Sequence, residues 1–151
     1  AEAESVVTKH LIDTLVRHQS EIAVKAFAAL LKVAKEFTNA ILPGDLAYQD
    51  GELGYWRGKQ WVVMSRATFS GTEQLLAYTA LQIALCQDSP SKIIFFEEAG
   101  NIHPTLLDKV VERVLHLIKS GVIDQAFMVE PTAERYRKFI KAGEVQHIEI
   151  I

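Results

Sequence analysis

The chain has 151 residues, of which 49% are hydrophobic and 23% are charged, and its formal net charge is −3 at pH 7. This composition predicts one soluble domain with a sizeable core, and the weak negative charge excludes a general attraction to nucleic acid. The absence of a long apolar run predicts no membrane span, and the lone cysteine, Cys86, excludes a disulfide framework. We therefore expect a cytoplasmic protein. Because Ala1 falls within a predicted helix, we interpret the chain as a piece of a longer protein.

The first segment, residues 1–42, is predicted to be mainly one long helix. Between residues 2 and 40, apolar side chains recur at three- and four-residue spacings without an internal Gly or Pro. The first third has only sparse apolar positions, as at the root of a coiled coil, and an ordinary amphipathic helix fits the pattern equally well.

The second segment, residues 43–68, is predicted to be a small antiparallel meander. Three short strand-like runs, 46–49, 52–56 and 60–64, are separated by turn-forming residues. Aromatic side chains in such a segment can stack on nucleic-acid bases, but they more often pack a small sheet against a helix. The side chains concerned are Tyr48, Tyr55, Trp56 and Trp61.

The third segment, residues 69–151, alternates helix and strand. The pattern predicts helices at 71–87, 105–119 and 132–141 and strands at 92–96, 125–129 and 145–150. Alternation of this kind is typical of a parallel sheet with right-handed crossovers. The predicted fold is thus α/β, a parallel sheet with flanking helices, to which the meander and the long N-terminal helix are added.

The helix at residue 71 begins with a sequence that has two interpretations. Ser70-Gly71-Thr72-Glu73 fits a capping box, in which Ser70 and Glu73 satisfy each other's backbone amides. The same helix start can receive a phosphate on its free N–H groups, and Gly71 removes the side chain that would keep a phosphate away.

Two carboxylates follow the predicted strand Ile93-Ile94-Phe95-Phe96, whose continuous apolar run is expected of a central strand covered on both faces. Glu97 and Glu98 therefore lie at the carboxyl end of a parallel strand, where open α/β sheets bind ligands. One carboxylate can face a Mg²⁺ ion while the other orients an attacking water. The alternative is that both simply solubilise the end of an apolar strand.

These two motifs, separated by one apolar helix, resemble the C-terminal lobe of ABC-type ATPase heads, especially the SMC-like DNA-repair and recombination branch typified by the RecN and SbcC proteins. Phe69-Ser70-Gly71-Thr72-Glu73-Gln74 resembles the signature motif, Leu-Ser-Gly-Gly-Glu-(Lys/Gln). Residues 92–98 resemble the Walker B strand. The resemblance extends to the layout of coiled-coil root, meander, signature helix and alternating strands and helices.

The resemblance implies a function for each motif. Ser70, Gly71 and Thr72 would contact the ATP γ-phosphate held by an opposing head, Glu97 would bind Mg²⁺, and Glu98 would be the catalytic base. The P-loop, which is absent from this sequence, would come from an N-terminal lobe of the same protein. The expected partners are that lobe, a second head in a homodimer, and DNA; the isolated chain is expected to hydrolyse nothing.

Several residues depart from the family pattern. Thr72 stands in place of the second signature Gly and Glu97 in place of Asp, the turn at 99–104 lacks the usual Asp, and no switch His occurs near Glu130. These departures keep open a hydrolysis-deficient interaction module with the same fold. An unrelated α/β domain, in which Ser70 only caps a helix, is a third hypothesis.

Other polar residues are given structural interpretations. The scattered histidines have no neighbours at metal-ligand spacing, and His103 before Pro104 is interpreted as part of a turn. The basic residues of the last predicted helix are interpreted as a solvated face, with a DNA-facing edge as the alternative. They are Arg135, Arg137, Lys138 and Lys141.

Overall fold

The computed structural model describes residues 2–39, 41–49, 51–64 and 69–149. Its helices are α1 (Glu2–Thr38), α2 (Gly71–Leu85), α3 (Pro104–Lys119) and α4 (Arg137–Lys141), and its strands are β1 (Leu46–Gln49), β2 (Glu52–Arg57), β3 (Gln60–Val63), β4 (Ile93–Phe96) and β5 (Gln125–Met128). Short 3-10 turns lie at Cys86–Asp88, Ala99–Asn101 and Glu134–Tyr136. Within the described ranges, no helix is both long enough and apolar enough to cross a membrane.

Helix α1 confirms the predicted long N-terminal helix, and its two halves differ in their surroundings. Leu31, Ala34 and Phe37 in the second half are buried in the core. Leu11 and Leu15 in the first half are exposed. Between residues 6 and 20, the apolar side chains of α1 are therefore exposed to solvent.

The predicted meander is confirmed as an antiparallel sheet in the order β1-β2-β3. Tyr48 stacks on Phe27 of α1 with ring centroids 4.2 Å apart, and the buried Tyr55 packs against Phe69 at 5.0 Å. These aromatic contacts hold the meander against the helices, which favours the packing interpretation of Tyr48 and Tyr55 over base stacking.

Helix α2 is the central element of the core. Five of its apolar side chains are buried, four of them fully, and it packs against both α1 and β4. Ala77 and Ala80 have no exposed surface, and such small side chains let neighbouring elements approach the helix closely.

Strands β4 and β5 are parallel, as predicted, with Phe96 opposite Met128. The prediction that β4 is covered on both faces is wrong for this chain. Ile94 and Phe96 are buried, but Ile93 and Phe95 are 38% and 51% exposed. The described residues supply helices to one face of the sheet only, so alternate side chains of an apolar strand face outwards.

The predicted strand at 145–150 is also wrong where the structure describes it, since residues 145–149 form no strand; residue 150 lies outside the described residues. Ile148 is 65% exposed. A strand requires a neighbouring strand to pair its backbone, and the alternating pattern of a segment cannot supply one. The predicted helix at 132–141 is shorter than expected, a 3-10 turn followed by α4.

Gly44 provides a test of how the meander joins α1. A Cβ atom at Gly44 would lie 2.0 Å from the carbonyl oxygen of Trp56, whereas a Cβ at Gly100 would meet no atom within 4 Å. We expect Gly44→Ala to lower the free energy of unfolding by about 2 kcal/mol, as overpacking against a backbone atom does. Urea denaturation measures this, with Gly100→Ala as the matched control; equal stability of the two variants would contradict the packing.

Candidate functional site

The α2 helix start has the predicted capping box. The Glu73 amide donates to Ser70 Oγ at 3.2 Å, and the Ser70 amide donates to Glu73 Oε2 at 2.7 Å. The amides of Gly71 and Thr72 belong to the first turn and have no partner inside the helix. The capping and phosphate interpretations are therefore compatible, because the box uses the amides of Ser70 and Glu73 and leaves the two between them.

Gly71 is not required by packing inside the chain. It is exposed, and a Cβ built on it would meet no atom within 4 Å. Glycine within a helix is less favourable than alanine, and it suits positions where a ligand approaches the backbone closely. A cavity of about 540 Å³ opens beside this helix start, lined by Ile41, Leu42, Pro43, Arg57, Phe69, Ser70, Thr72, Glu73 and Leu106.

The Glu73 carboxylate also ties the helix start to the meander. Its Oε1 accepts a hydrogen bond from Tyr55 Oη at 2.5 Å. The same oxygen forms an ion pair with Arg57 Nη2 at 2.8 Å. Burial opposes ionisation of Glu73, but the hydrogen bonds from Tyr55 and Ser70 and the charge of Arg57 outweigh it, so the pKa of Glu73 is lowered. Burial and the contact with Glu73 raise the pKa of Tyr55.

The two predicted carboxylates lie where β4 ends. Glu97 and Glu98 are both exposed and follow the last strand residue, Phe96. Glu98 Oε2 accepts a hydrogen bond from Asn101 Nδ2 at 2.7 Å, which fixes the direction of that carboxylate. Among the described residues, no group of three or more Asp, Glu, His or Cys side chains is placed to hold a metal ion.

The turn after β4 connects the two motifs. The Thr72 hydroxyl donates to the Asn101 carbonyl oxygen at 2.7 Å, and the Asn101 side chain in turn holds Glu98. A chain of two hydrogen bonds therefore runs from the α2 helix start to the carboxylate end of β4. The connecting residue, Asn101, stands in the segment where the sequence lacks the expected Asp.

The segment after β5 contains a site that the sequence analysis missed. Glu130 has a side chain only 4% exposed, and its Oε1 lies 3.1 Å from Nη1 of Arg135. Arg135 Nη1 also donates to the carbonyl oxygen of Gly100 at 3.1 Å, and Arg135 Nη2 donates to that of Ile102. The sequence signal for this ion pair is the five-residue spacing from Glu130 to Arg135. The pattern of neighbouring basic residues instead indicated an exposed side chain for Arg135.

The other members of that basic group are largely paired. Lys138 Nζ lies 2.6 Å from Asp108 Oδ2, and Arg137 forms an ion pair with Glu134. Acidic partners of this kind reduce the attraction of α4 for a phosphate backbone, and the solvated-face interpretation is favoured over a DNA-facing edge.

His103 and Cys86 have structural roles. His103 caps α3, its Nδ1 accepting from the Thr105 amide at 3.4 Å, which agrees with the predicted turn. Cys86 is partly buried, its Sγ donates to the Ile83 carbonyl oxygen at 3.3 Å, and burial raises the pKa of its thiol. A raised pKa disfavours the reactive thiolate.

The outer face of the β4-β5 sheet is apolar. Phe95 stacks on Phe127 with ring centroids 5.1 Å apart, and Ile93 and Val129 are exposed beside them. A continuous apolar surface on a sheet is typical of a face that packs against another element.

Comparison with solved structures finds a similar chain from a study of the ATP-driven dimerization and DNA-stimulated activation of SMC ATPases. The two chains share a fold. Sequence identity is 17% and the TM-score is 0.50, and the similarity covers 75% of this chain and 73% of that chain. No protein-family model and no curated protein matches the sequence. At this identity the similarity supports the mixed helix-and-sheet architecture and says nothing about activity.

Glu73 gives a pH-dependent prediction. Because its pKa in the folded state lies below the ordinary value of 4.5, its ionised form stabilises the folded state fully above that pH. This stabilisation is lost as the pH falls through the lower, folded-state pKa. We expect Glu73→Gln, which keeps the shape of the side chain and removes the charge beside Arg57, to cost about 1 kcal/mol at neutral pH and progressively less under acid conditions.

Urea denaturation across this pH range measures the difference between wild type and Glu73→Gln. The control is Glu112→Gln, since Glu112 is 65% exposed and only distantly paired with Lys138. A difference that stays constant with pH, or one that the control reproduces, would contradict the role assigned to Glu73.

Proposed function

We propose that this chain is the C-terminal half of an SMC-like ABC-type ATPase head that dimerises on ATP in DNA repair or recombination. The observation that carries the proposal is the hydrogen-bonded connection from Thr72 through Asn101 to Glu98. This connection links a helix start that can receive a phosphate with a carboxylate that can orient a water molecule. The fold shared with the SMC ATPase chain agrees with the architecture that this proposal requires.

In this proposal the α2 helix start contacts the γ-phosphate of ATP bound to the opposing head. The Gly71 and Thr72 amides donate to phosphate oxygens, and the positive end of the helix dipole adds attraction. The Ser70 hydroxyl accepts from Glu73, so its own proton is available for a phosphate oxygen. The Thr72 hydroxyl is already used by Asn101, which leaves its backbone amide as the contributing group.

The carboxylates fit an Mg²⁺-dependent reaction. Glu97 is exposed at the strand end and offers oxygen ligands, which Mg²⁺ prefers, alongside water and phosphate oxygens. Bound Mg²⁺ would neutralise charge on the phosphates. Glu98 has one oxygen held by Asn101, and its other oxygen can accept a proton from the attacking water as general base.

The proposed partners are an N-terminal P-loop lobe of the same protein and a second head in a homodimer. The exposed Ile93 and Phe95 and the half-buried Phe127 support the first, because a lobe covering this face would turn β4 into the central strand that its sequence predicts. DNA is proposed as a further partner because the structurally similar SMC ATPase is described as DNA-stimulated.

The second candidate function is a hydrolysis-deficient interaction module with the same fold. Glu97 in place of Asp and Glu130 in place of a switch His favour it, since the Glu130 side chain is buried against Arg135 rather than exposed to a nucleotide. Such a module would bind ATP and dimerise without turnover.

Glu98→Gln separates these two functions. In a head reassembled from this chain and the P-loop lobe, we expect the variant to lose at least a hundredfold in ATP turnover, because the amide cannot accept the proton. It should also accumulate ATP-bound dimers. ATP turnover and sedimentation velocity measure both effects.

Glu112→Gln is the control for that experiment, since Glu112 lies on the exposed side of α3. A wild-type head that dimerises on ATP without turnover would establish the interaction module. Turnover unchanged in Glu98→Gln would remove Glu98 from the catalytic role.

A further inference from the structure

We propose that Arg135, held by the buried Glu130, is a positioning residue that fixes the turn after β4 and thereby the directions of Glu98 and Thr72. This inference deepens the proposed function, and its expected effect on ATP turnover rests on that function. The geometric part concerns only contacts within this chain and stands without it.

The first observation is how many acceptors Arg135 joins. Its guanidinium donates to the carbonyl oxygens of Gly100 at 3.1 Å, Ile102 and, at 3.5 Å, Ala99. The same group pairs with Glu130 Oε1 at 3.1 Å. One side chain from the segment after β5 therefore binds three carbonyls of the segment after β4.

The second observation is the burial of this cluster. The Arg135 side chain is 22% exposed and that of Glu130 is 4% exposed, unlike the more exposed ion pairs that Arg137 and Lys138 of α4 form. Tyr136 lies beside them, and burial together with the Glu130 carboxylate raises the pKa of its phenol. Ion pairs shielded from solvent restrict side-chain geometry far more than exposed pairs do, which suits a positioning role.

The third observation is what the bound turn carries. Asn101 lies between two of the carbonyls that Arg135 holds; its side chain donates to Glu98, and its carbonyl oxygen accepts from Thr72. A displacement of the turn would therefore move the proposed general base and the proposed phosphate-binding helix start together.

Arginine is specifically suited to these contacts. Its planar guanidinium offers five donors in a fixed fork, whereas the lysine ammonium offers three donors from one point. Arg135→Lys therefore keeps the charge beside Glu130 and cannot reach the three carbonyl oxygens at once. Arg137→Lys is the matched control. It makes the same substitution in the ion pair between Arg137 and Glu134, where both side chains are 61% exposed.

Amide hydrogen exchange of this chain alone, followed by NMR, tests the geometric part. The Asn101 and Ile102 amides donate within the turn, to the carbonyl oxygens of Glu98 and Ala99. We expect Arg135→Lys to speed their exchange about tenfold, as loss of charge-assisted hydrogen bonds does, while α2 and the Arg137→Lys control stay unchanged. Unchanged exchange at both amides would overturn the inference.

Glu130→Gln is a second variant, which retains the shape of the side chain and removes its charge. We expect it to speed exchange at the same two amides, and circular dichroism checks that both variants remain folded. If Arg135→Lys is unfolded, the result with Glu130→Gln decides, and protection equal to wild type there would overturn the inference.

Turnover by the reassembled head tests the consequence. We expect Arg135→Lys to lower kcat about tenfold with KM for ATP nearly unchanged, because misplaced catalytic groups slow the reaction without weakening nucleotide binding. An unchanged kcat in an active wild-type head would overturn the positioning role. If the wild-type head lacks turnover, the proposed hydrolysis is contradicted and the role of Arg135 in the turn is not. The hydrogen-exchange result then decides whether Arg135 fixes the turn.

Discussion

Three parts of the molecule meet at the first turn of α2: the core, the meander and the segment that follows β4. The helix is fixed along its length by burial of Leu76, Ala80 and Ile83. At its first turn, Glu73 joins the Ser70 cap to the meander through Tyr55 and Arg57. The same turn bonds through Thr72 to Asn101, which holds Glu98, so the proposed phosphate-binding amides and the proposed general base are placed relative to each other.

A second property follows from the sheet, which is covered on one side. Two parallel strands with Ile93 and Phe95 outward form only part of an α/β architecture, in which both faces of the sheet are normally covered. This arrangement agrees with a head built from two lobes, in which a P-loop lobe would supply the missing layer. It also explains why a strand end with two carboxylates lies at an open surface of this chain.

The sequence predicted features that depend on local pattern. The spacing of apolar residues in α1, the turns of the meander and the capping box at Ser70 all express local preferences, and the structure confirms them. Coverage of β4 and strand formation after Val145 depend on neighbours that no segment specifies by itself. The Arg135 contacts were missed because they join residues about 35 positions apart, and composition shows only a basic helix.

The proposed function is that this chain completes an ATP site across a dimer of heads. Its most direct test is the mass of the chain combined with the P-loop lobe, measured by sedimentation velocity with and without ATP and Mg²⁺. We expect ATP to double the mass of the wild-type complex, and we expect Gly71→Asp to abolish the doubling because a carboxylate repels the phosphate at the helix start. A mass that does not change with ATP, or one that doubles equally well in the Gly71→Asp variant, would contradict the proposed function.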